Sequence, residues 1–206
     1  MLRLSTFLRD LKSIRVALLI SLLLFVVGVA LGWISTGTLK EIINQQMSGL
    51  SNVANGLRES EHPRWSFFVF IFLNNSIKGI IIMYLGILVG FLPVFFLLIN
   101  GMVIGYLVHS VSMQGESLFD LIVKGLLPHG IIEIPAIIIA CAFGLQLGIQ
   151  AITSIGAIGS EERRRVQAIK WRQLFRQSIT AGFWIVILLL IAAVIESTLT
   201  FALMQN

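Results

Sequence analysis

From Trp65 to Val111 the chain runs for about 47 residues with one formally charged side chain, Lys78, and no carboxylate. A single helix of that length would measure about 70 Å, more than twice the ~30 Å hydrocarbon core of a bilayer. The run must therefore fold back on itself. Gly90-Phe91-Leu92-Pro93 is the place to bend, because proline ends one helix or starts the next. Two membrane helices, about 66–89 and 93–111, follow from this, with almost no loop between them.

The rest of the chain has the same character. Hydrophobic residues make up 57% and charged residues 12%, against roughly 25% charged in soluble domains. Three further apolar runs, about 14–34, 129–152 and 179–204, are long enough to span. The expected fold is an all-α polytopic bundle of five spans in a single integral membrane domain over 1–206. The stretch 117–127 is apolar but short and holds Asp120 and Lys124, which predicts a re-entrant or interfacial helix. The first span has a basic flank like that of a signal peptide. Its apolar run is longer than a signal core, and no small-x-small cleavage site follows, so it reads as an uncleaved helix. Cys141 lies inside a span and allows no intramolecular disulfide; it reads as a small apolar filler.

Charge orients the spans. Arg3, Arg9, Lys12 and Arg15 precede the first one, and Arg163, Arg164, Arg165, Lys170, Arg172 and Arg176 lie between the fourth and fifth. Five spans place both clusters on one side, which the positive-inside rule makes cytoplasmic. The N-terminus is then cytoplasmic and the C-terminus external. The second cluster is expected to form a helix over 160–178, anchoring topology or meeting lipid headgroups. The basic residues form no broad nucleic-acid face. In the external loop, Leu39, Ile43, Met47, Leu50, Ala54 and Leu57 recur at spacings of three and four. They predict an amphipathic helix over 38–59, either capping the bundle or docking a second copy or another membrane or envelope protein.

Four GxxxG spacings fall within spans: Gly28/Gly32, Gly86/Gly90, Gly101/Gly105 and Gly144/Gly148. Each lets another helix backbone come close. Close packing within the monomer and homo-oligomerisation are both open at this level.

Polar groups inside spans are costly, and each needs a partner, a water-filled cavity or a function. At ~1.5 Å per residue the outer half collects Asn74, Asn75, Lys78, His109, His129, Glu133 and Glu196, with Asn100 near mid-membrane. Three readings compete. In the structural one, Lys78 pairs with Glu133 and the asparagines satisfy broken backbone. In the second, Glu133 titrates and His129 gates or relays in a small proton or cation transporter. In the third, His109, His129 and Glu133 bind zinc, although their spacing matches no zinc motif. No GxSxG or HExxH motif is present, so neither an enzyme nor a cofactor is expected.

A succession of motifs carries a family resemblance. It runs Phe72-Leu73-Asn74-Asn75, Gly86…Gly90-Phe91-Leu92-Pro93, Asn100-Gly101-Met102-Val103-Ile104-Gly105, Pro128-His129-Gly130-Ile131-Ile132-Glu133-Ile134-Pro135-Ala136 and Gly144-Leu145-Gln146-Leu147-Gly148. In combination it resembles the stage II sporulation protein M family of integral membrane proteins. The resemblance implies a polytopic membrane protein without catalysis of its own. Its namesake is regarded as a scaffold for cell-wall hydrolases at the engulfing membrane of endospore formers. Relatives also occur in organisms that do not sporulate. Asn74, Asn75, Asn100, Gly101, His129, Gly130 and Glu133 match the family's signature positions, with no assigned chemical role. The leading expectation is a membrane scaffold, and the alternative is a small transporter or channel.

Overall fold

The computed structural model describes residues 2–34, 55–113 and 127–204, with isolated positions between 41 and 53; at 127–129 and 199–204 it describes the backbone alone. The described residues are helical, with no strand among them. In chain order the helices are α1 (Leu4–Ser13), α2 (Arg15–Trp33), α3 (Pro63–Leu85), α4 (Phe91–Met113), α5 (Leu127–Ile155) and α6 (Glu161–Met204). Five of them, α2 to α6, are long and apolar enough to cross a membrane. The described positions between 41 and 58 are also helical, and the rest of the amphipathic segment 38–59 lies outside the described residues. The short helix expected at 117–127 lies outside them as well, apart from the backbone of Leu127.

The helix boundaries have local causes. The basic N-terminal segment folds as α1, a helix separate from the first span. The Ser13 hydroxyl donates to the Asp10 carbonyl, and Ile14 leaves helical geometry at φ −106°, ψ 20°. Phe7, Asp10, Ile14, Ala17, Ser21, Phe25, Gly28 and Gly32 are all buried. Their spacing of three or four continues one buried stripe from α1 into α2. Pro63 opens α3 at a position where a missing N–H is harmless.

The bend between α3 and α4 lies at 86–90, starting four residues ahead of the expected Gly90-Phe91-Leu92-Pro93 and sharing only Gly90 with it, because Pro93 is accommodated in the first turn of α4. Gly90 has φ +73° and Val89 has φ +61°. The Val89 N–H donates to the Ile87 carbonyl at 2.8 Å. A β-branched residue in the left-handed region is strained, so packing around the bend must hold it there. Pro93 then falls in the first turn of α4, which tolerates it. Pro135 lies inside α5 and cannot donate to the Ile131 carbonyl.

The predicted basic helix at 160–178 and the fifth span at 179–204 are one continuous helix, α6. The physical reason is that helical hydrogen bonding runs from residue to residue four apart and does not depend on side-chain polarity. Glu161 and Glu162 in the first turn suit the helix dipole, and no proline interrupts the polar-to-apolar change near Ser178.

α5 is the central helix and touches α2, α3, α4 and α6, while α2 pairs with α4 and α3 with α6. Its alanines let the neighbours close in. Ala136, Ala140 and Ala142 are buried with Phe143, Leu147, Met83, Ile185 and Leu189. The glycine motifs form two close crossings. A Cβ added to Gly28 would sit 2.5 Å from the Leu98 carbonyl oxygen and 3.2 Å from the Gly101 Cα. Gly32 lies against Met102, and Gly105 against Val29. On the other side of the bundle, Gly86 meets the Gly144 backbone, and a Cβ on Gly148 would lie 2.8 Å from the Gly86 carbonyl oxygen. A Cβ on Gly90 would touch Leu145. Each GxxxG thus faces another within the same chain, and none is left open to a second copy. The outward residues of the spans, such as Leu19, Leu23, Val27, Ile77 and Ile81, are exposed and apolar, as a lipid-facing surface requires.

Candidate functional site

The polar residues singled out in the outer half are distributed over four helices. Asn74 and Asn75, half-buried on α3, bond to each other, Asn74 Nδ2 donating to Asn75 Oδ1 at 3.1 Å. Asn100 on α4 bonds within its own helix, Nδ2 donating to the Phe96 carbonyl at 2.7 Å. The Asn74 and Asn100 amides therefore each find an acceptor without crossing to another helix. Lys78 is exposed, and no ion pair joins it to another described residue. Glu133 is half-buried on α5 and Glu196 is half-buried on α6. His109 on α4 packs edge-on against Trp33, with ring centroids 5.2 Å apart. Its Nδ1 is buried without a hydrogen-bond partner among the described residues. His129 sits in the first turn of α5, and its side chain lies outside the described residues. No group of three metal-ligating side chains occurs among the described residues.

Near the same end, Leu57, Trp65, Ser66, Val69, Phe70, Leu73 and Asn74 line an open groove of about 510 Å³. It is mostly apolar. Leu57, from the amphipathic segment, lines it together with residues of α3.

Several side-chain bonds cross between helices at the opposite, basic end. Gln177 on α6 is buried, and its Nε2 donates to Asp10 Oδ1 of α1 at 3.1 Å and to the Ser13 hydroxyl at 3.3 Å. Phe7 stacks on Trp184 with centroids 6.0 Å apart, so α1 lies against α6. Across the α5–α6 turn, Gln150 Nε2 donates to Gln167 Oε1. The Trp171 indole N–H donates to the Ser154 hydroxyl at 2.8 Å, and Ala157 within the turn is buried. Buried polar groups that satisfy one another fix one geometry, because any slip leaves a donor unpaired.

Sequence reasoning passed over this clamp. Two signals were available. Asp10 is the one acid among four basic residues at the N-terminus, and it falls on the stripe of Phe7, Ile14 and Ala17. Gln150 and Ser154 are four apart at the end of α5, and Gln167 and Trp171 are four apart at the start of α6, so each pair shares a face.

Arg163, Arg164, Lys170, Arg172 and Arg176 are all exposed on α6. Arg165 is exposed too and pairs with Glu161 at 2.9 Å, an i,i+4 bridge in solvent. Such a pair adds little to stability. These cations are therefore available to an external partner at small structural cost.

Comparison with known proteins adds a family. The chain is 31% identical over 134 residues to an uncharacterized protein of Methanocaldococcus jannaschii, covering 65% of this chain and 68% of that protein. No solved structure matches. The family described as Stage II sporulation protein M matches residues 21–201, which reaches into all five apolar helices and takes in both glycine crossings. This multi-pass membrane protein therefore belongs to the stage II sporulation protein M family.

Proposed function

We propose that this protein is a non-enzymatic membrane scaffold that recruits or organises partner proteins at the cell membrane. In this reading the N-terminus and the basic turn face the cytoplasm and the C-terminus faces outward, as the positive-inside rule requires. One observation carries the proposal. The interior is closed by backbone-to-backbone glycine crossings, and the side-chain bonds of Asn74, Asn75 and Asn100 stay on their own helices. A transport path needs polar groups converging from several helices on a wet cavity, whereas a scaffold needs a rigid body with exposed ends.

A small proton or cation transporter is the second reading. The orphaned Nδ1 of His109 and the half-buried Glu133 and Glu196 favour it. Flux across liposomes carrying the purified protein, wild type beside Glu133→Gln, separates the two. A scaffold gives no proton or cation flux in either protein. Flux in the wild type that disappears in a folded Glu133→Gln variant would replace the scaffold reading with a transporter.

A further inference from the structure

α6 is much longer than a crossing needs. Its 44 residues extend for about 66 Å, against ~40–45 Å for a bilayer with its headgroups. Even a tilt of about 40° leaves roughly 50 Å along the membrane normal. Its apolar part begins at Ile179, and about 20 residues from there fill the hydrocarbon. The excess therefore lies at the basic end. The Gln177–Asp10 bond marks the same boundary, since it joins α6 to the polar N-terminal helix. Measured from Ile179, Ile169 stands about 15 Å out and Arg163 about 24 Å out. The headgroup layer is only about 6 Å thick on each side.

The protruding part is built to hold its shape. α5 returns along it, and the Gln150–Gln167 and Trp171–Ser154 bonds with buried Ala157 and Leu174 join the two helices. Its surface nevertheless exposes large apolar side chains. Ile155 is 66% exposed, Ile158 68% and Ile169 69%. Beyond the headgroups lipid cannot cover them. Six cations surround them against two carboxylates, Glu161 and Glu162. Apolar anchors within a cationic field complement an acidic partner with an apolar stripe.

We infer that the hairpin formed by the end of α5, the turn at 156–160 and the start of α6 is a docking post for an acidic amphipathic helix of a partner protein. The inference rests on the scaffold reading and locates its docking surface at the basic end, away from the outer amphipathic segment. The isoleucines supply contact area, and the arginines supply steering and the sign of the partner. The clamp keeps both in place.

The test uses the full chain in phosphatidylcholine nanodiscs and a fluorescent acidic peptide with glutamates on one helical face and leucines at i, i+3, i+4 and i+7. Saturable binding is expected by anisotropy. Ile158→Ser with Ile169→Ser should weaken it about tenfold or more. Arg163→Gln with Arg164→Gln should weaken it and flatten its salt dependence. These side chains are exposed, so the variants retain the fold. Absence of saturable binding, or binding indifferent to the isoleucine variants, overturns the inference. A second measurement places a fluorophore at Ile158→Cys and follows quenching by aqueous iodide. Equal quenching in phosphatidylcholine and phosphatidylglycerol discs is expected. Protection in the anionic discs would mean that the hairpin is covered by membrane, which also overturns it. Either failure leaves the scaffold reading intact, because that reading falls on ion flux.

Discussion

The two glycine crossings and the basic-end clamp hold helices together by different physics. At Gly28/Gly101 and Gly86/Gly144 the backbones themselves touch, and there is no room for a single carbon. At Asp10–Gln177 and Ser154–Trp171 the contact is made by side chains that reach across a wider gap. The difference follows from the solvent on each side. Inside lipid no hydrophobic force favours apolar helix association, so close packing of backbones is a principal source of affinity. At the boundary water competes, and a buried, matched set of donors and acceptors fixes the geometry. The crossings should therefore tolerate no added volume, whereas the clamp should tolerate volume and respond to lost hydrogen bonds.

The largest expected effect tests the first half of that contrast. Gly32→Leu or Gly144→Leu should prevent folding, read as loss of monodisperse protein in detergent, because the intruding atoms meet backbone and Pro93. Gly79→Ala is the matched control. Its Cβ would make ordinary contacts at 3.7 Å with Leu189 Cδ1, so thermal stability should be unchanged. Equal damage at Gly79 would show that glycine matters here for something other than close approach.

The clamp comes next. Asp10→Ala leaves the buried Gln177 amide only its longer bond to the Ser13 hydroxyl and should cost about 1–3 kcal/mol in reversible unfolding. The double variant Asp10→Leu with Gln177→Leu should recover most of that loss, because no orphan remains. A double variant worse than the single one would mean that α1 is held by something other than this bond. Trp171→Phe keeps an aromatic ring but removes the N–H donor and the pyrrole half of the indole, so about 1–2 kcal/mol is expected. Smallest of all, Asn100→Ala removes a bond made within α4 and should shift stability by under about 0.6 kcal/mol. A larger effect would identify Asn100 as an interhelical contact and bring the outer polar residues back together as a site.

Val89 sharpens the comparison from the other direction. It occupies positive φ at the α3–α4 bend, beside the Gly86 and Gly90 contacts. Val89→Gly should relieve about 1–2 kcal/mol of backbone strain, offset in part by the extra freedom of the unfolded chain. A net loss of stability on thermal unfolding would show that the exposed valine side chain is needed at the bend.

Much of the architecture was legible in the sequence because lipid imposes a simple length rule. Five apolar runs and the bend before Pro93 could be read from residue types alone. The GxxxG pairs announced close approach but not their partners, since a glycine face looks the same whichever helix covers it. The polar residues misled in a specific way. Asn74, Asn75 and Asn100 attract attention as costs in a span, yet the side-chain bonds they make stay within their own helices. Asp10, Gln150 and Gln177 attract none, because they lie where polar residues are expected.

The sequence by itself determined the number of crossings, the basic end and the positions able to take close contact. These depend on composition and on spacing along one helix. Tertiary structure decided that Gly28/Gly32 meets Gly101/Gly105 and that Gly86/Gly90 meets Gly144/Gly148. It also decided that Gln177 reaches back to Asp10 and that α6 continues unbroken from the basic segment into the apolar span. Those outcomes depend on which surfaces meet in three dimensions, and pairing between distant segments leaves no periodic mark on either one.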